Sequence, residues 1–366
     1  MQIYLVGGGV RDLLLGRAVR DKDYLVTNAT KEQFKTTFPE AQEVGKAFPV
    51  FLIQGKEYAF PRGKNLEADL LARDLTINAM ALGQQGELTC HPQAMDDLSN
   101  RVLRPTSGTA LLEDPLRVFR AARFYALLPE FSPHPELLEA MEKLSDSEAI
   151  RDIASDRVGQ ETRKALGTPK PGNFLRLLDR ADCLRPWFRE LAEASAIPAG
   201  PPPHHHTNVL EHTAEIMDKV AGDPLCAWMA LCHDLGKCAT PKEEWPRHIG
   251  HESTGARLAE QLGTRLRLPL KYIKAGQKAA LLHMKAGRYA ELRPGTRVDL
   301  LMEAHLARIT EPLFKLAAAD QGTDHSPQAR AELATILMVS LPEKDRNLGA
   351  ASGERLRLLR AQSIAG

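Results

Sequence analysis

The chain has 366 residues, 43% hydrophobic and only 5% aromatic, with a formal net charge of +1. That length predicts two or three domains with a sizeable core, and the balanced charge excludes a uniformly basic nucleic-acid binder, so any such contact must come from local clusters. Five cysteines without a C-x-x-C pair, and a first strand that starts at Ile3 with no leader before it, predict a reducing cytoplasmic location. No apolar run reaches the roughly 18 residues of a membrane helix, so no membrane partner is expected.

In chain order, residues 1–107 alternate short β-prone runs with helical pieces; the runs are Ile3–Val6, Tyr24–Val26, Pro49–Ile53, Glu57–Phe60 and Leu88–Cys90. Residues 51–60 hold two such runs around Gln54-Gly55-Lys56, which predicts an antiparallel hairpin. From Ala110 the pattern turns helical, over 111–128, 135–144, 154–166 and 172–181. A breaker-rich stretch at 197–203 predicts a semi-rigid linker. The expected fold class is α+β: a small mixed α/β head at 1–107, an all-α neck and body at 108–196, an all-α histidine-rich module at 204–330, and a helical tail at 331–366.

The first strand runs into Gly7-Gly8-Gly9 and a short helix carrying Arg11, and the second is entered through Arg20-Asp21-Lys22-Asp23. Residues two apart on a strand share a face, so the carboxylates of Asp21 and Asp23 project together beside the glycine turn. Unpaired, they repel and one takes up a proton. A hard cation such as Mg2+ removes that conflict, binding through one or two carboxylates and the phosphates of a substrate. The turn adds backbone N–H groups for a phosphate tail. A glycine turn or an Asp-x-Asp alone is more often a tight turn or a solvated face. Their conjunction, with Arg11 four residues past Gly7, implies metal-dependent nucleotidyl transfer.

Asp74 and Asn78 are four residues apart and share a face if the segment 72–81 is a capped helix. The segment 113–124 predicts a helix start at Asp114-Pro115. Arg117, Arg120 and Arg123 then drift slowly around one face, against Leu116, Phe119 and Ala122. A solvated basic face is the plainer alternative. Beside the carboxylate pair, nucleotide contact is favoured, because the guanidinium fork suits phosphate oxygens and base edges. Asp114 and Arg117 together offer an acceptor and donors to the edge of a base.

These residues carry a resemblance. The segments Leu5–Asp12, Asp21-x-Asp23, Arg73-Asp-x-Thr-x-Asn-Ala79 and Glu113-Asp-x-x-Arg117 with Arg120 resemble, in order, motifs of the bacterial class II tRNA nucleotidyltransferases. Those are the CCA-adding enzymes, in the DNA polymerase β nucleotidyltransferase superfamily. The resemblance runs from Met1 to Asp320. It implies that Asp21 and Asp23 hold a catalytic Mg2+, that Gly8 and Arg11 contact the triphosphate, and that Arg73, Arg117 and Arg120 bind the nucleotide. It further implies that Asp114 and Arg117 pair with the base of CTP or ATP, and that tRNA is the partner.

The chain departs from that pattern in four places. Ala72 stands where many relatives carry a second arginine, and His91-Pro92 where they often have Asp-Pro. Ala59 lacks the third acid that some relatives place on that strand. The connection Arg62–Leu70 is short where many relatives have a longer flexible loop that helps the site switch from CTP to ATP.

After the linker, Val209, His212 and Ile216 lie on one face of a helix capped by Asn208. The apolar run Cys226–Cys238 predicts a buried helix containing His233-Asp234, a pair that needs partners or a metal when buried. His248, His251 and His283 supply further imidazoles, and Asp320 ends an alanine-rich helix segment. Imidazole with carboxylate suits Mn, Fe, Co, Ni or Zn. The set His212, His233, Asp234 and Asp320 resembles the HD phosphohydrolase superfamily, and the HD extension of gammaproteobacterial-type CCA enzymes. That implies a transition metal such as Ni2+, Mn2+ or Co2+ and a phosphatase or phosphodiesterase activity. The plainer alternative is a degenerate HD fold kept as scaffold or homodimer surface.

Three other functions fit parts of the sequence. One is an enzyme adding only the two cytidines, and a second is a bacterial poly(A) polymerase, which usually carries a basic tail absent here. The third is an HD hydrolase on a non-catalytic RNA-binding head, against which Asp21 and Asp23 argue. The short connection generates one prediction. A chain spans at most about 3.3–3.6 Å per residue, so Arg62–Leu70 reaches little, and the final A should be added poorly compared with the two cytidines. Single-turnover ATP incorporation on a tRNA ending in CC, at a rate matching CTP on the shorter tRNA, overturns this.

Overall fold

Alternation along Gln2–Val6 (β1) turns Tyr4 and Val6 into the core, and the strand ends at Gly7, whose φ of 69° is cheap only without a β-carbon. The computed structural model describes residues 1–19, 22–45, 50–145, 147–202 and 207–365. Asp21, one of the two expected metal carboxylates, lies outside the described residues, as do Pro49, Pro203 and the histidines 204–206. The chain divides into two compact units, Met1–Asp152 and Ile153–Gly366.

In the first unit β1 is followed by α1 (Gly8–Leu14), β2 (Asp23–Thr27), α2 (Lys31–Thr37), β3 (Gln42–Val44), β4 (Val50–Ile53) and β5 (Lys56–Ala59). Then come α3 (Leu66–Leu71), β6 (Met80–Leu82), β7 (Leu88–Cys90), α4 (Ala94–Ser99), β8 (Val102–Leu103), α5 (Ala110–Glu113) and α6 (Arg117–Leu127). β9 (Ser132–Pro133), α7 (Pro135–Glu142) and α8 (Glu148–Arg151) complete it. The sheet order is β3-β4-β5-β2-β1-β6-β7, and β2 with β5 is its parallel pair. The expected hairpin is present: β4 and β5 join through Gln54 and Gly55, both at positive φ, as a two-residue turn between twisted strands requires.

Apolar side chains cover the sheet on both faces. Leu25 packs with Tyr4, Val6, Leu66 and Leu70, while its neighbour Val26 joins Phe34 and Phe51. Burial of each such side chain contributes about 1.5–3 kcal/mol. This sandwiching of β2 fixes the strand at whose first residue Asp23 stands.

The helix expected over 111–128 is two helices. Proline disfavours helical backbone in the residue before it, so Asp114 is extended at φ −143°, α5 ends at Glu113, and α6 begins at Arg117. Asp74 and Asn78 do meet, but across a 3-10 turn at Thr76–Asn78 rather than along an α-helix.

The second unit is helical. It holds α9 (Ser155–Leu166), α10 (Gly172–Arg180), α11 (Val209–Lys219), α12 (Pro224–Cys232), α13 (His251–Arg265), α14 (Leu270–Gly287), α15 (Pro294–Leu306), α16 (Thr310–Gln321), α17 (Ser326–Met338) and α18 (Ala350–Ser363). Every residue of α12 from Cys226 to Cys232 is buried, and the Trp228 indole N–H donates to the Tyr272 carbonyl of α14 at 2.7 Å. The helix expected over Cys226–Cys238 stops at Cys232, and Leu235–Ala239 tightens into a 3-10 turn. That turn lets the backbone of Gly236 press on α13, so closely that a β-carbon there would lie 1.9 Å from the His251 carbonyl oxygen. Among the described residues no helix is long and apolar enough to cross a membrane.

Gly236→Ala should therefore destabilise the second unit by about 1–3 kcal/mol, the usual cost of overpacking. Calorimetry of the full chain checks it, and an unchanged transition for that unit overturns the close-packing account.

Candidate functional site

In the first unit Arg11, Asp23 and Arg73 lie at the glycine turn. Val6 pairs with Asp23 across the antiparallel β1–β2 ladder, which puts the exposed Asp23 beside Gly7. A β-carbon on Gly7 would come within 2.9 Å of Arg73 Nη1, and one on Gly8 within 3.4 Å of Arg11 Nη2. Both guanidinium groups thus lie against a turn that only small residues leave open. The parallel register sets Glu57 opposite Asp23, whereas Ala59 faces Leu25. An acid therefore does neighbour Asp23 on that strand, two residues before the position where the sequence shows none. No local pattern signals it, because the pairing of β2 with β5 is long-range.

Beneath this surface runs a chain of buried polar contacts. The Arg120 guanidinium donates to Asp74 Oδ2 from Nε at 2.8 Å, with Nη2 at 2.6 Å. Asp74 Oδ1 accepts from the Leu75 amide at 2.8 Å and from Asn78 Nδ2 at 3.1 Å. Asn78 Oδ1 in turn accepts from Arg11 Nη1 at 2.7 Å, and Arg11 also holds Asp12 at 2.8 Å. Burial pushes the Asp74 carboxyl up, but Arg120, Asn78 and the Leu75 amide more than offset it and hold its pKa well below the usual carboxylate range. Burial lowers the pKa of Arg11.

The remaining arginines of the site are held as firmly. Arg117, buried, donates to three backbone carbonyls: Ala72 at 2.6 Å, Ala110 at 2.8 Å and Arg73 at 3.3 Å. Arg73 donates to Asp69 Oδ2 at 3.0 and 3.3 Å. The half-exposed Asp114 accepts from the Leu116 amide at 3.3 Å, capping the break before α6. Of the residues singled out in sequence, Arg11 and Arg73 lie at the glycine turn beside Asp23, Arg117 and Arg120 reach the 72–74 segment, and Asp114 stands at the break before α6.

The second unit holds a separate cluster. His212 on α11 places Nε2 3.0 Å from Asp320 Oδ1 and 3.4 Å from Asp234 Oδ2, and His233 Nε2 lies 3.1 Å from the same Asp234 oxygen. All four residues singled out in sequence are therefore together. The other oxygen, Asp234 Oδ1, faces His251 Nε2 at 3.4 Å and His283 Nε2 at 3.6 Å. Two donor groups, His212–His233–Asp234 and Asp234–His251–His283, thus share one carboxylate. The sequence shows the last two imidazoles without tying them to Asp234, since that depends on how α13 and α14 pack. His248 belongs elsewhere: its Nε2 meets the Pro198 carbonyl at 2.7 Å.

The orientation of these rings suits metal ligation. Nδ1 of His233, His251 and His283 each meets a backbone carbonyl, at 2.7, 2.9 and 3.0 Å. A proton on Nδ1 leaves Nε2 with its lone pair toward Asp234, the arrangement by which outer hydrogen bonds orient ligating histidines. Among the described residues, His233 Nε2 and Asp234 Oδ1 are buried without a hydrogen bond, which a cation between them would remedy. Lys237 Nζ sits 2.7 Å from Asp234 Oδ2. Burial alone would lower the pKa of His212, but Asp234 and Asp320 raise it to about 9; burial takes His283 down to about 4. Burial pushes Asp234 up, yet His233 and Lys237 hold it well below the ordinary carboxylate value.

Three family models match the chain: the Poly A polymerase head domain over residues 3–60, the probable RNA and SrmB-binding site of polymerase A over 130–195, and the HD domain over 204–321. The matched nucleotidyltransferase and HD domains are metal-dependent families. Among curated proteins, a multifunctional CCA protein of Stenotrophomonas maltophilia is 36% identical over 100% of this chain and 99% of its own length. One of Alcanivorax borkumensis is 35% identical over 100% and 98%. Among solved structures, the CCA-adding enzyme of Bacillus stearothermophilus in complex with CTP is similar in fold, with a TM-score of 0.68 and 23% identity over 99% of this chain and 88% of that one. The Thermotoga maritima CCA-adding enzyme complexed with tRNA gives a TM-score of 0.61 at 18% identity, over 100% and 88%.

Asp74 generates a prediction about the first unit. Its folded-state pKa is depressed, so its stabilisation is fully present above the ordinary carboxylate value of about 3.9 and is lost as pH falls through the folded value. Asp74→Asn should lower stability by roughly 3 kcal/mol at pH 7, as when one partner leaves a buried pair. The difference from wild type should shrink as the pH drops below about 4. Denaturant titrations at pH 7 and pH 3 check this; a difference that is constant with pH overturns the assignment.

Proposed function

The chain belongs to the multifunctional CCA protein family, tRNA nucleotidyltransferases that carry an HD domain, and from that premise we propose how its own residues divide the work. The proposed substrates are a tRNA 3′ end with CTP and then ATP. The terminal 3′-hydroxyl attacks the α-phosphate, a new O–P bond forms as the bond from the α-phosphorus to the bridging oxygen breaks, and pyrophosphate leaves.

Asp23 and Asp21 are the proposed Mg2+ ligands, with Glu57 beside Asp23 as a further acid of the site. Bound there, Mg2+ neutralises charge on the phosphoryl oxygens and favours the ionised attacking hydroxyl. Gly8 leaves room for the triphosphate, and Arg11 and Arg73 bind it. Asp114 and Arg117 read the base. The three carbonyls on Arg117 use three of the five guanidinium N–H donors, so Nε–H and one Nη2–H serve the nucleotide while the others hold the fork in place. Arg120, fixed on Asp74, adds positive potential. The observation that carries this reading is the placement at Gly7: Asp23 pairs with Val6, the residue before it, and a β-carbon on Gly7 would lie 2.9 Å from Arg73 Nη1.

The second proposed activity is a phosphohydrolase at the HD cluster. His212, His233, Asp234 and Asp320 would hold a transition metal such as Ni2+, Mn2+ or Co2+, with His251 and His283 extending the donor set on the far oxygen of Asp234. Such a metal supplies Lewis acidity toward a phosphoryl group. The imidazoles present Nε2, Asp234 spans the two donor groups, and Lys237 Nζ lies 2.7 Å from its Oδ2. The proposed division is a nucleotidyltransferase head at 1–107, a helical neck and RNA-binding body at 108–196, the HD domain at 204–330 and a helical tail at 331–366. The proposed location is the cytoplasm, where five free thiols stay reduced.

A pair of substitutions tests the division. Asp23→Ala should abolish CTP incorporation into a tRNA lacking its 3′ end and leave metal uptake by the HD cluster intact. Asp234→Ala should abolish that uptake, read as nickel retained after gel filtration, and the associated phosphatase activity, while CTP incorporation persists. Near-normal addition by Asp23→Ala sinks the first assignment; nickel retention by Asp234→Ala sinks the second.

A further inference from the structure

The short connection between β5 and the Arg73 segment is clasped. The backbone N–H of Arg62, near its start, donates to Asp69 Oδ1 at 3.0 Å. The other oxygen of the same carboxylate accepts from Arg73, from Nη2 at 3.0 Å and Nε at 3.3 Å. Asp69 is 5% exposed, so neither bond is easily exchanged for water. Two further features press the connection onto α3. Asn65 caps the helix by accepting from the Ala68 amide at 3.0 Å, and Gly63 lies where a β-carbon would stand 2.7 Å from Ala68 Cβ.

One buried carboxylate therefore holds the entering loop with one oxygen and a guanidinium with the other. The Arg73 head it holds is the one that lies against Gly7, beside Asp23. A planar guanidinium pinned along the edge carrying Nε and Nη2 holds Nη1 against the turn, where it also donates to the Asn78 carbonyl at 3.4 Å. Any displacement of the 61–65 turn must either break the Arg62 amide bond or drag Asp69, and with it Arg73.

We propose that Asp69 is a positioning residue for nucleotide addition: it sets the direction of Arg73 and couples that direction to the Arg62–Leu70 connection, so that the preference between CTP and ATP depends on it. This rests on the reading that Arg73 contacts the incoming nucleotide. Asp69 itself stays away from the reacting atoms and acts through the arginine. The connection then influences selection through the carboxylate that anchors it.

The test is a double-mutant cycle on the full chain with Asp69→Asn, Arg73→Ala and the double variant. KM and kcat are measured for CTP on a tRNA lacking its 3′ end and for ATP on a tRNA ending in CC. Asparagine keeps an acceptor for the Arg62 amide and loses the charge on Arg73. Asp69→Asn should raise the nucleotide KM about tenfold with a smaller change in kcat, and change the ATP-to-CTP ratio of kcat/KM at least threefold, by about 0.6 kcal/mol of selectivity. In the Arg73→Ala background it should add nothing, because two residues acting through one contact are not additive. An equal loss in both backgrounds, or none in wild type, overturns the proposal. If Arg73→Ala leaves the nucleotide KM unchanged, the nucleotide-contact reading of Arg73 fails first and the coupling with it. Asp69→Ser, which also retains an acceptor for the amide, gives the same readouts should the asparagine variant not fold.

Discussion

The carboxylate of Asp74 is buried where an uncompensated charge would cost several kcal/mol, and the first unit is arranged to meet it. Arg120 comes from α6, the Leu75 amide and Asn78 from the adjoining turn, and Asn78 passes the contact on to Arg11 of α1. These elements are distant in sequence, and this polar chain ties them together directly. That geometry is directional, with each distance set by hydrogen-bond length. A purely apolar junction would let α1 and α6 slide by fractions of an ångström without penalty. The groups reaching the glycine turn stand on this frame.

Asp234 has the same place in the second unit, with a different outcome. There the surrounding groups are three imidazoles whose Nδ1 atoms meet backbone carbonyls, together with His212, Asp320 and a single ammonium. Asp74 is satisfied by donors from the chain itself. Asp234 keeps one oxygen without a hydrogen bond among the described residues. One buried aspartate is thus closed and structural, the other open and receptive, and the difference lies in whether its neighbours offer N–H groups or lone pairs.

Much of this is legible in sequence where the signal is local. The alternation of β1, the turn residues Gln54 and Gly55, and the caps Thr30, Asn65 and Asn208 all act within a few residues of where they stand. What escapes such reading is set by distant partners. The register that puts Glu57 opposite Asp23 follows from a parallel pairing across the 28–55 interval. His251 and His283 meet Asp234 only because α13 and α14 pack beside the 3-10 turn at Gly236. Two helices expected to be continuous are broken, one by the backbone demand of Pro115 on Asp114, the other at Cys232, before a 3-10 turn whose Gly236 packs closely on α13.

Arg117 reaches three carbonyl oxygens belonging to Ala72, Arg73 and Ala110. These carbonyls sit on two separate stretches of backbone, so the side chain works as a rivet between them. An ammonium is a single point with three rotatable protons and lacks the flat, wide fork that spans both stretches at once. Lysine would therefore keep the charge and lose the joint. In evolutionary terms the usual neutral exchange between the two basic residues is closed at this position, and the two stretches can diverge in side chains only while their main chains stay in step. A charge-preserving substitution there is a change of architecture.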